Sequence, residues 1–320
     1  MTATVEPTAP STTASAVELR GVSKWYGNVV AVNDITMTLG PGVTGLLGPN
    51  GAGKTTVLHM MAGLLQPSAG EVLIDGVGAA DDSSIYRRLT LVPERESTYA
   101  FLTGREFVRM SARLQQLPDA EDAATRAIRL VELEDAQHRK IGTYSKGMRQ
   151  RIKVAAALVH EPDVVLLDEP FNGMDPRQRL HMMAVLREEA ARGRVIVISS
   201  HILEELNDLA DNVLVMVAGR LAASGHYRAI RRLMVDRPHT FMIRSSDDRR
   251  LAAALLSDAS VFGVELSANG NGGGIIVRTS ERSTLTHHLP RAARDAGIRL
   301  LEIRPTDESL ESVFSYLVER

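Results

Sequence analysis

The 320-residue chain contains no cysteine, so disulfide staples and thiolate chemistry are excluded, an absence that suits a reducing compartment. It also lacks an excess of either charge. Lys and Arg number 37 against 39 Asp and Glu, a formal net charge of -2, which gives no global pull toward nucleic acid or anionic lipid. The pairs Arg87-Arg88, Arg231-Arg232 and Arg249-Arg250 are isolated, as on a solvated surface, and no nucleic-acid partner is expected. No apolar run approaches the roughly 18 residues needed to cross a bilayer, so the chain is not expected to form a transmembrane path alone. Residues 1–16 are rich in Thr, Ala, Ser and Pro and carry neither Lys or Arg nor an apolar segment. They are expected to form a disordered tail and not a signal peptide, with a cytoplasmic location for the protein. What is present is a 44% hydrophobic chain, long enough to fill the cores of two domains.

The most informative segment is Gly48-Pro49-Asn50-Gly51-Ala52-Gly53-Lys54-Thr55, followed by Thr56. Before it, Val43 to Leu47 has the character of a short buried strand; after it, Val57, Met60, Met61 and Leu64 recur at helical spacing. The glycines therefore join a strand to a helix N-terminus, where unpaired N–H groups and the positive end of the helix dipole face outward together. Phosphate fits such a cradle, with Lys54 reaching the terminal phosphates and the Thr55 hydroxyl available to magnesium. With glycine at about 7% of residues, the pattern arises by chance in roughly one chain of this length in a hundred. Binding of ATP or GTP is the expectation.

From Val17 to Leu39 the pattern is strand-like, with Ile35, Met37 and Leu39 alternating before the turn residues Gly40-Pro41-Gly42, and Val72-Leu73-Ile74 adds another strand. A helical insertion is expected over about 100–160, where Ala124, Ala127, Ile128 and Val131 form one face and Ile152, Ala155, Ala156 and Val159 another. Sheet character returns at Val164 to Leu167 and Val195 to Ile198, on either side of a helix over about 178–191, as in a parallel α/β sheet. Residues 17–225 thus form one α/β domain and 226–238 a linker ending near Arg237-Pro238. Residues 239–320 are expected to form a small α+β, ferredoxin-like domain: strand at Thr240 to Arg244, helix at Leu251 to Leu256, two strands around Gly270 to Gly274, helix over 283–296, strand at Ile298 to Ile303. Leu310, Val313, Phe314 and Leu317 give a final helix one apolar face.

A little over a hundred residues beyond the glycine loop, Val164 to Leu167 runs into Asp168-Glu169-Pro170, two carboxylates at the C-terminal edge of a buried strand, where open α/β sheets bind ligands. Asp168 is positioned to hold magnesium and Glu169 to take a proton from an attacking water. At this point the chain resembles the ATP-binding subunit of an ATP-binding cassette (ABC) transporter. Tyr144-Ser145-Lys146-Gly147-Met148-Arg149-Gln150 lies where that family has its Leu-Ser-Gly-Gly-Gln signature, with Lys146 and Met148 replacing a glycine and a glutamine. Asn172-Gly173-Met174-Asp175 resembles the family's D-loop, and Ser199-Ser200-His201 its switch segment. Tyr26 matches the aromatic that stacks on adenine, and Glu94 stands where the family has its Q-loop glutamine; a carboxylate there can still ligate magnesium but cannot donate as an amide does.

The resemblance covers about residues 17–225 and implies a P-loop ABC-type nucleotide-binding domain with an antiparallel β subdomain and a helical insertion. It implies ATP and magnesium as cofactors, Glu169 and His201 in hydrolysis, and Thr55, Asp168 and Glu94 at the metal. Ser145, Gly147 and Asp175 would act across a head-to-tail dimer of two copies. The chain's end, Asp307 to Phe314, and Lys146 resemble the exporter subfamily, whose permease of about six spans is a separate protein; the subunit would sit on the cytoplasmic face of the membrane through it. Two alternatives are a soluble ABC-type ATPase and a nucleotide-dependent regulator. Against the first stand a single P-loop and the absence of long coiled coils; against the second stand Lys54, Asp168, Glu169 and His201.

Overall fold

The computed structural model describes residues 16–80, 83–95, 97–207, 209–226, 230, 239–256, 261–267, 274–279 and 282–305. The chain divides into two compact units, residues 1–227 and 228–320. The first unit opens with β1 (Val17–Tyr26), β2 (Val29–Leu39) and β3 (Gly42–Leu47), then α1 (Lys54–Met61), β4 (Ala69–Ile74), β5 (Val77–Gly78) and β6 (Leu89–Val92). Helices α2 (Gly104–Leu114), α3 (Ala120–Leu130) and α4 (Lys146–Leu158) follow, then β7 (Val164–Asp168), α5 (Pro176–Ala191), β8 (Val195–Ser200), α6 (Glu204–Asn207), β9 (Asn212–Val217) and β10 (Arg220–His226).

Two sheets result. One is antiparallel, in the order β2-β1-β4-β5; the other runs β10-β9-β3-β8-β7-β6, parallel from β9 to β6 with β10 returning antiparallel at its edge. Every residue of β7 and β8 is buried, which is why both read as unbroken apolar runs and not as alternating ones. The core joins both sheets around α1: Leu19 and Ile35 from the antiparallel sheet, Leu58 and Met61 from the helix, and Leu166 and Val197 from the parallel one pack in a single cluster. Burying each such side chain contributes about 1.5–3 kcal/mol. Between β6 and β7 lie α2, α3 and α4, the helical stretch expected over about 100–160; α2 begins with a reciprocal cap, the Glu106 N–H donating to Thr103 Oγ1 and the Thr103 N–H to Glu106 Oε2.

The structure departs from the sequence pattern in three places. Helix α1 stops at Met61, so Leu64 lies outside it and is 61% exposed. Gly63 ends the helical run in a left-handed conformation (φ +68°), pressed so closely on the Ala79 carbonyl that a Cβ would sit 2.1 Å from its oxygen. Strand β6 and the β9–β10 hairpin had no clear periodic signature. The hairpin closes through Ala218 and Gly219, both at positive φ (46° and 78°), the conformation a two-residue turn between twisted strands requires.

The second unit has the order β11 (His239–Ser245), α7 (Asp248–Leu255), β12 (Val261–Ser267), β13 (Gly274–Thr279), α8 (Arg282–Asp295) and β14 (Leu300–Pro305). Its sheet is antiparallel, in the order β12-β13-β11-β14. Phe241, Ile243, Ile275 and Val277 point from the sheet into a core closed by Leu251 and Leu255 of α7 and Leu285 and Leu289 of α8. The strands expected around Gly270 to Gly274 lie on either side of that stretch, ending at Ser267 and starting at Gly274. Residues 1–15, nearly all of the expected linker and the apolar stripe Leu310 to Leu317 fall outside the described residues.

Candidate active site

The loop from Gly48 to Gly53 leaves the C-terminal end of β3 and delivers the chain to α1. Two of its glycines are demanded by close packing: a Cβ on Gly48 would lie 2.4 Å from the Met216 carbonyl oxygen, and one on Gly53, at φ +99°, 2.5 Å from that of Ala31. No side chain caps α1. The N–H groups of Lys54, Thr55 and Thr56, in its first turn, have no partner within the helix and are left to an outside acceptor. Those of Gly48 and Ala52 are used inside the protein, donating to Ser200 O (3.2 Å) and Pro49 O (3.2 Å), so these two residues shape the loop.

A cleft of about 400 Å³ opens over this helix start, lined by Ala31, Asn50, Gly51, Gly53, Lys54, Thr55, Thr56, Glu94, Asp168 and Glu169. Lys54, only 7% exposed, donates to Gly48 O (2.7 Å) and Pro49 O (3.1 Å), and its Nζ lies 3.8 Å from Glu169. Burial pushes its pKa down, opposed by the charges of Glu169, Asp168 and Glu94.

Asp168 and Glu169 are neighbours in sequence but occupy different environments. The Asp168 carboxylate accepts from two hydroxyls, Thr55 Oγ1 (2.7 Å) and Ser199 Oγ (2.5 Å), across the register that sets Asp168 beside Ser199 on β8. Glu169 turns away: its φ of +48° is left-handed for a non-glycine residue, a strain of about 1–3 kcal/mol of the kind stored at functional sites. Its N–H donates to Ser199 Oγ (2.9 Å), and its two carboxylate oxygens lie 3.0 and 2.9 Å from His201 Nδ1. Burial raises the Glu169 pKa first of all; the hydrogen bond and charge of His201 and the charge of Lys54 work against that rise, and Glu205 adds to it. A buried carboxylate of raised basicity facing an open cleft is suited to accepting a proton.

Not every residue picked out in the sequence meets here. Tyr26, at the end of β1, is 51% exposed, has Lys24 Nζ 5.5 Å from its ring centroid and does not line the cleft. Ser145 and Asp175 also stand apart from it, as the N-caps of α4 and α5: Ser145 Oγ accepts from the Met148 N–H (3.2 Å) and Asp175 Oδ1 from the Gln178 N–H (2.9 Å). Gly147 lets these two helix starts approach, since a Cβ would sit 2.8 Å from Gly173 O and 2.6 Å from Gln178 Oε1.

Two residues hold roles here that the sequence pattern does not disclose. Ser199 ties Asp168 to Glu169, a role visible only through strand register. Lys153 is buried within α4 and donates to Pro93 O (2.6 Å) and Arg95 O (3.2 Å), clasping the backbone on either side of Glu94; it was hidden in a helix read for its apolar face.

A family model described as ABC transporter matches residues 32–172. The chain is similar to the Nod factor export ATP-binding protein I of Rhizobium leguminosarum bv. viciae, 34% identical over 67% of this chain and 70% of that protein. It is also similar to a daunorubicin resistance ATP-binding protein of Streptomyces coeruleorubidus, 30% identical over 95% of this chain and 96% of that one. Among solved structures, an ATP-binding subunit of an ABC transporter superposes with a TM-score of 0.62 at 31% identity, over 68% of this chain and 92% of that one. A dimeric ATP-binding cassette in a post-hydrolysis state, bound to ADP and Pi, shares the fold with a TM-score of 0.62 at 23% identity, over 66% and 99% of the two chains.

Proposed function

This chain belongs to the ATP-binding subunits of ABC transporters, and from that membership and the geometry of the cleft we propose that it hydrolyses ATP between α1 and the Glu169–His201 pair to power export through a separate membrane permease. The observation that carries the reading is the convergence, on one uncapped helix start, of Lys54, the Thr55–Asp168 pair and the Glu169–His201 pair. The nucleotide's phosphates accept from the N–H groups of Lys54, Thr55 and Thr56, with Asn50, Gly51 and Gly53 around them and the Lys54 ammonium turned from the loop carbonyls to the terminal phosphates. Tyr26 lies beneath the adenine.

Thr55 Oγ1 and Asp168 Oδ2 are adjacent oxygen donors of the kind magnesium takes, and Glu94 lines the same cleft. Among the described residues no group of three or more His, Asp or Glu side chains is placed to hold a metal ion by itself, which fits an ion that draws its remaining ligands from phosphate and water. When bound, magnesium neutralises charge on the transferring phosphate. Glu169 takes the proton of the attacking water, and His201 fixes the carboxylate and faces the terminal phosphate. Most stabilisation comes from fixed N–H donors and charges aimed where negative charge develops.

Ser145, Gly147 and Asp175, which stand outside the cleft of their own chain, meet the nucleotide of a second copy in a head-to-tail dimer. This follows the sequence resemblance and is consistent with the dimeric state of the related cassette. No described helix is long and apolar enough to cross a membrane. In this reading the transport path is that of a partner permease of about six spans, which holds this subunit at the cytoplasmic face. Export is favoured because one relative is itself an export ATP-binding protein. The test is Glu169→Gln in the full chain: ATP binding is retained while phosphate release falls by roughly a hundredfold or more. Unchanged release would remove Glu169 from the chemistry.

A further inference from the structure

Glu205 is 5% exposed and carries a carboxylate, a group costly to bury unless it is paired. One of its oxygens accepts from Ser200 Oγ at 2.7 Å, and the other lies 3.2 Å from an Arg179 guanidinium nitrogen. Ser200 is the last residue of β8 and immediately precedes His201. Its hydroxyl oxygen also accepts from the Ile202 N–H (3.0 Å), so the side chain spans the turn on which His201 stands, while its backbone carbonyl accepts from Gly48 of the phosphate loop (3.2 Å). The hydroxyl has one proton. The Glu205 carboxylate, charged and at 2.7 Å, is a better acceptor for it than the Ile202 carbonyl at 3.2 Å, and donation to Glu205 leaves a lone pair to the Ile202 N–H.

At the other end, Arg179 lies in the first turn of α5, its backbone N–H donating to the Asp175 carbonyl (2.9 Å). Its side chain is 37% exposed, and its Nε is buried without a hydrogen-bond partner among the described residues. The pair is thus an ion pair at 3.2 Å and not the two-pronged hydrogen-bonded fork that Arg and a carboxylate frequently form.

We propose that Glu205 and Arg179 are positioning residues for hydrolysis: they hold the Ser200–His201 turn so that His201 meets Glu169, and they connect that turn to the start of α5 at Asp175. This inference rests on the reading of Glu169 and His201 given above. It places the hydrolytic pair under the control of a helix whose N-cap, Asp175, is assigned to the nucleotide of the second copy.

The test is the steady-state ATPase rate of the full chain with Glu205→Gln, Ser200→Ala, Arg179→Ala and Arg179→Lys, each alone and combined with His201→Ala. Glu205→Gln, Ser200→Ala and Arg179→Ala are expected to lower kcat by roughly tenfold with KM for ATP changed by less than about twofold, because the interaction lost acts after ATP is bound. Arg179→Lys, which keeps a charge within reach of Glu205, is expected to retain most of the rate. In the His201→Ala background each of the three is expected to change the remaining rate by less than about twofold, since residues acting through one another are not additive. Ser200→Ala deletes a single oxygen and keeps the test in force where Glu205→Gln fails to fold. Losses that multiply with His201→Ala, or a KM that rises as kcat falls, would overturn the inference alone. A His201→Ala enzyme with full kcat would instead overturn the role of His201 itself, and this inference with it.

Discussion

Helices α1, α4 and α5 all begin beside residues assigned to the reaction, but they begin in different ways. Left-handed Gly53 opens α1 with no side-chain oxygen over its first N–H groups, whereas Ser145 and Asp175 cover those of α4 and α5. The glycine start gives up only a few tenths of a kcal/mol of helix stability relative to a side-chain cap, and it leaves the donors and the dipole for an anion. At each capped start the side-chain oxygen accepts from one first-turn N–H, that of Met148 or of Gln178, so a ligand reaching Ser145 or Asp175 must share that oxygen with the helix. Helix α3 also starts without a side-chain cap, so an uncapped end alone does not mark an anion site; what sets α1 apart is the glycine loop, Lys54 and the Thr55–Asp168 pair gathered around its start.

That contrast can be broken or sharpened by substitution. The largest separation after Glu169→Gln is expected for Lys54→Ala at the uncapped start. Loss of its charge-assisted contacts should weaken ATP binding to the isolated subunit by roughly 10- to 100-fold, about 1.5–3 kcal/mol, measured by calorimetry. Full affinity in that variant would end the assignment of α1 as the phosphate site. At the capped start of α4, Ser145→Ala should leave that monomer affinity unchanged but cost about 1 kcal/mol of stability, a fall in Tm of a few degrees for a chain of this size, and reduce the cooperative part of hydrolysis. An unaltered Tm would show the cap to be dispensable. Asp175→Ala should repeat that pattern at α5, and the two losses should add if the caps act separately.

The smallest expected effect concerns pH. Because burial raises the Glu169 pKa above its unfolded value, the ionised form is the disfavoured one in the folded protein. The wild type is therefore penalised above the folded pKa. The penalty fades as pH falls toward the unfolded value of an ordinary glutamate, where both states hold the proton. Glu169→Gln should accordingly melt higher than wild type at neutral pH, with the advantage shrinking on acidification. A constant difference across that range would place the effect in packing and not in charge.

Much of the α/β cassette was legible in the sequence because its determinants are local or periodic. The strand, glycine loop and helix around Lys54 lie within one short stretch, and the backbone demands of that turn can be met by few residues other than glycine. The all-apolar runs Val164 to Leu167 and Val195 to Ile198 reveal their burial because both faces of those strands are covered. Leu64, by contrast, kept a helical spacing while the Gly63 contact with Ala79 had already ended the helix. Strand β6 was too short to show a period. Ser199 acquired its place between Asp168 and Glu169 only from the register of β7 against β8, and Lys153 met the Pro93 carbonyl, and Glu205 met Arg179, only when separate segments packed.

The sequence alone thus determined which residues could bind phosphate, accept a proton or cap a helix, since these are properties of side-chain chemistry and short-range backbone geometry. Tertiary structure alone decided which of them share a cleft, which buried carboxylate is held by hydroxyls and which is paired with His201. Register, burial and electrostatic environment belong to the packed chain and have no value until it folds.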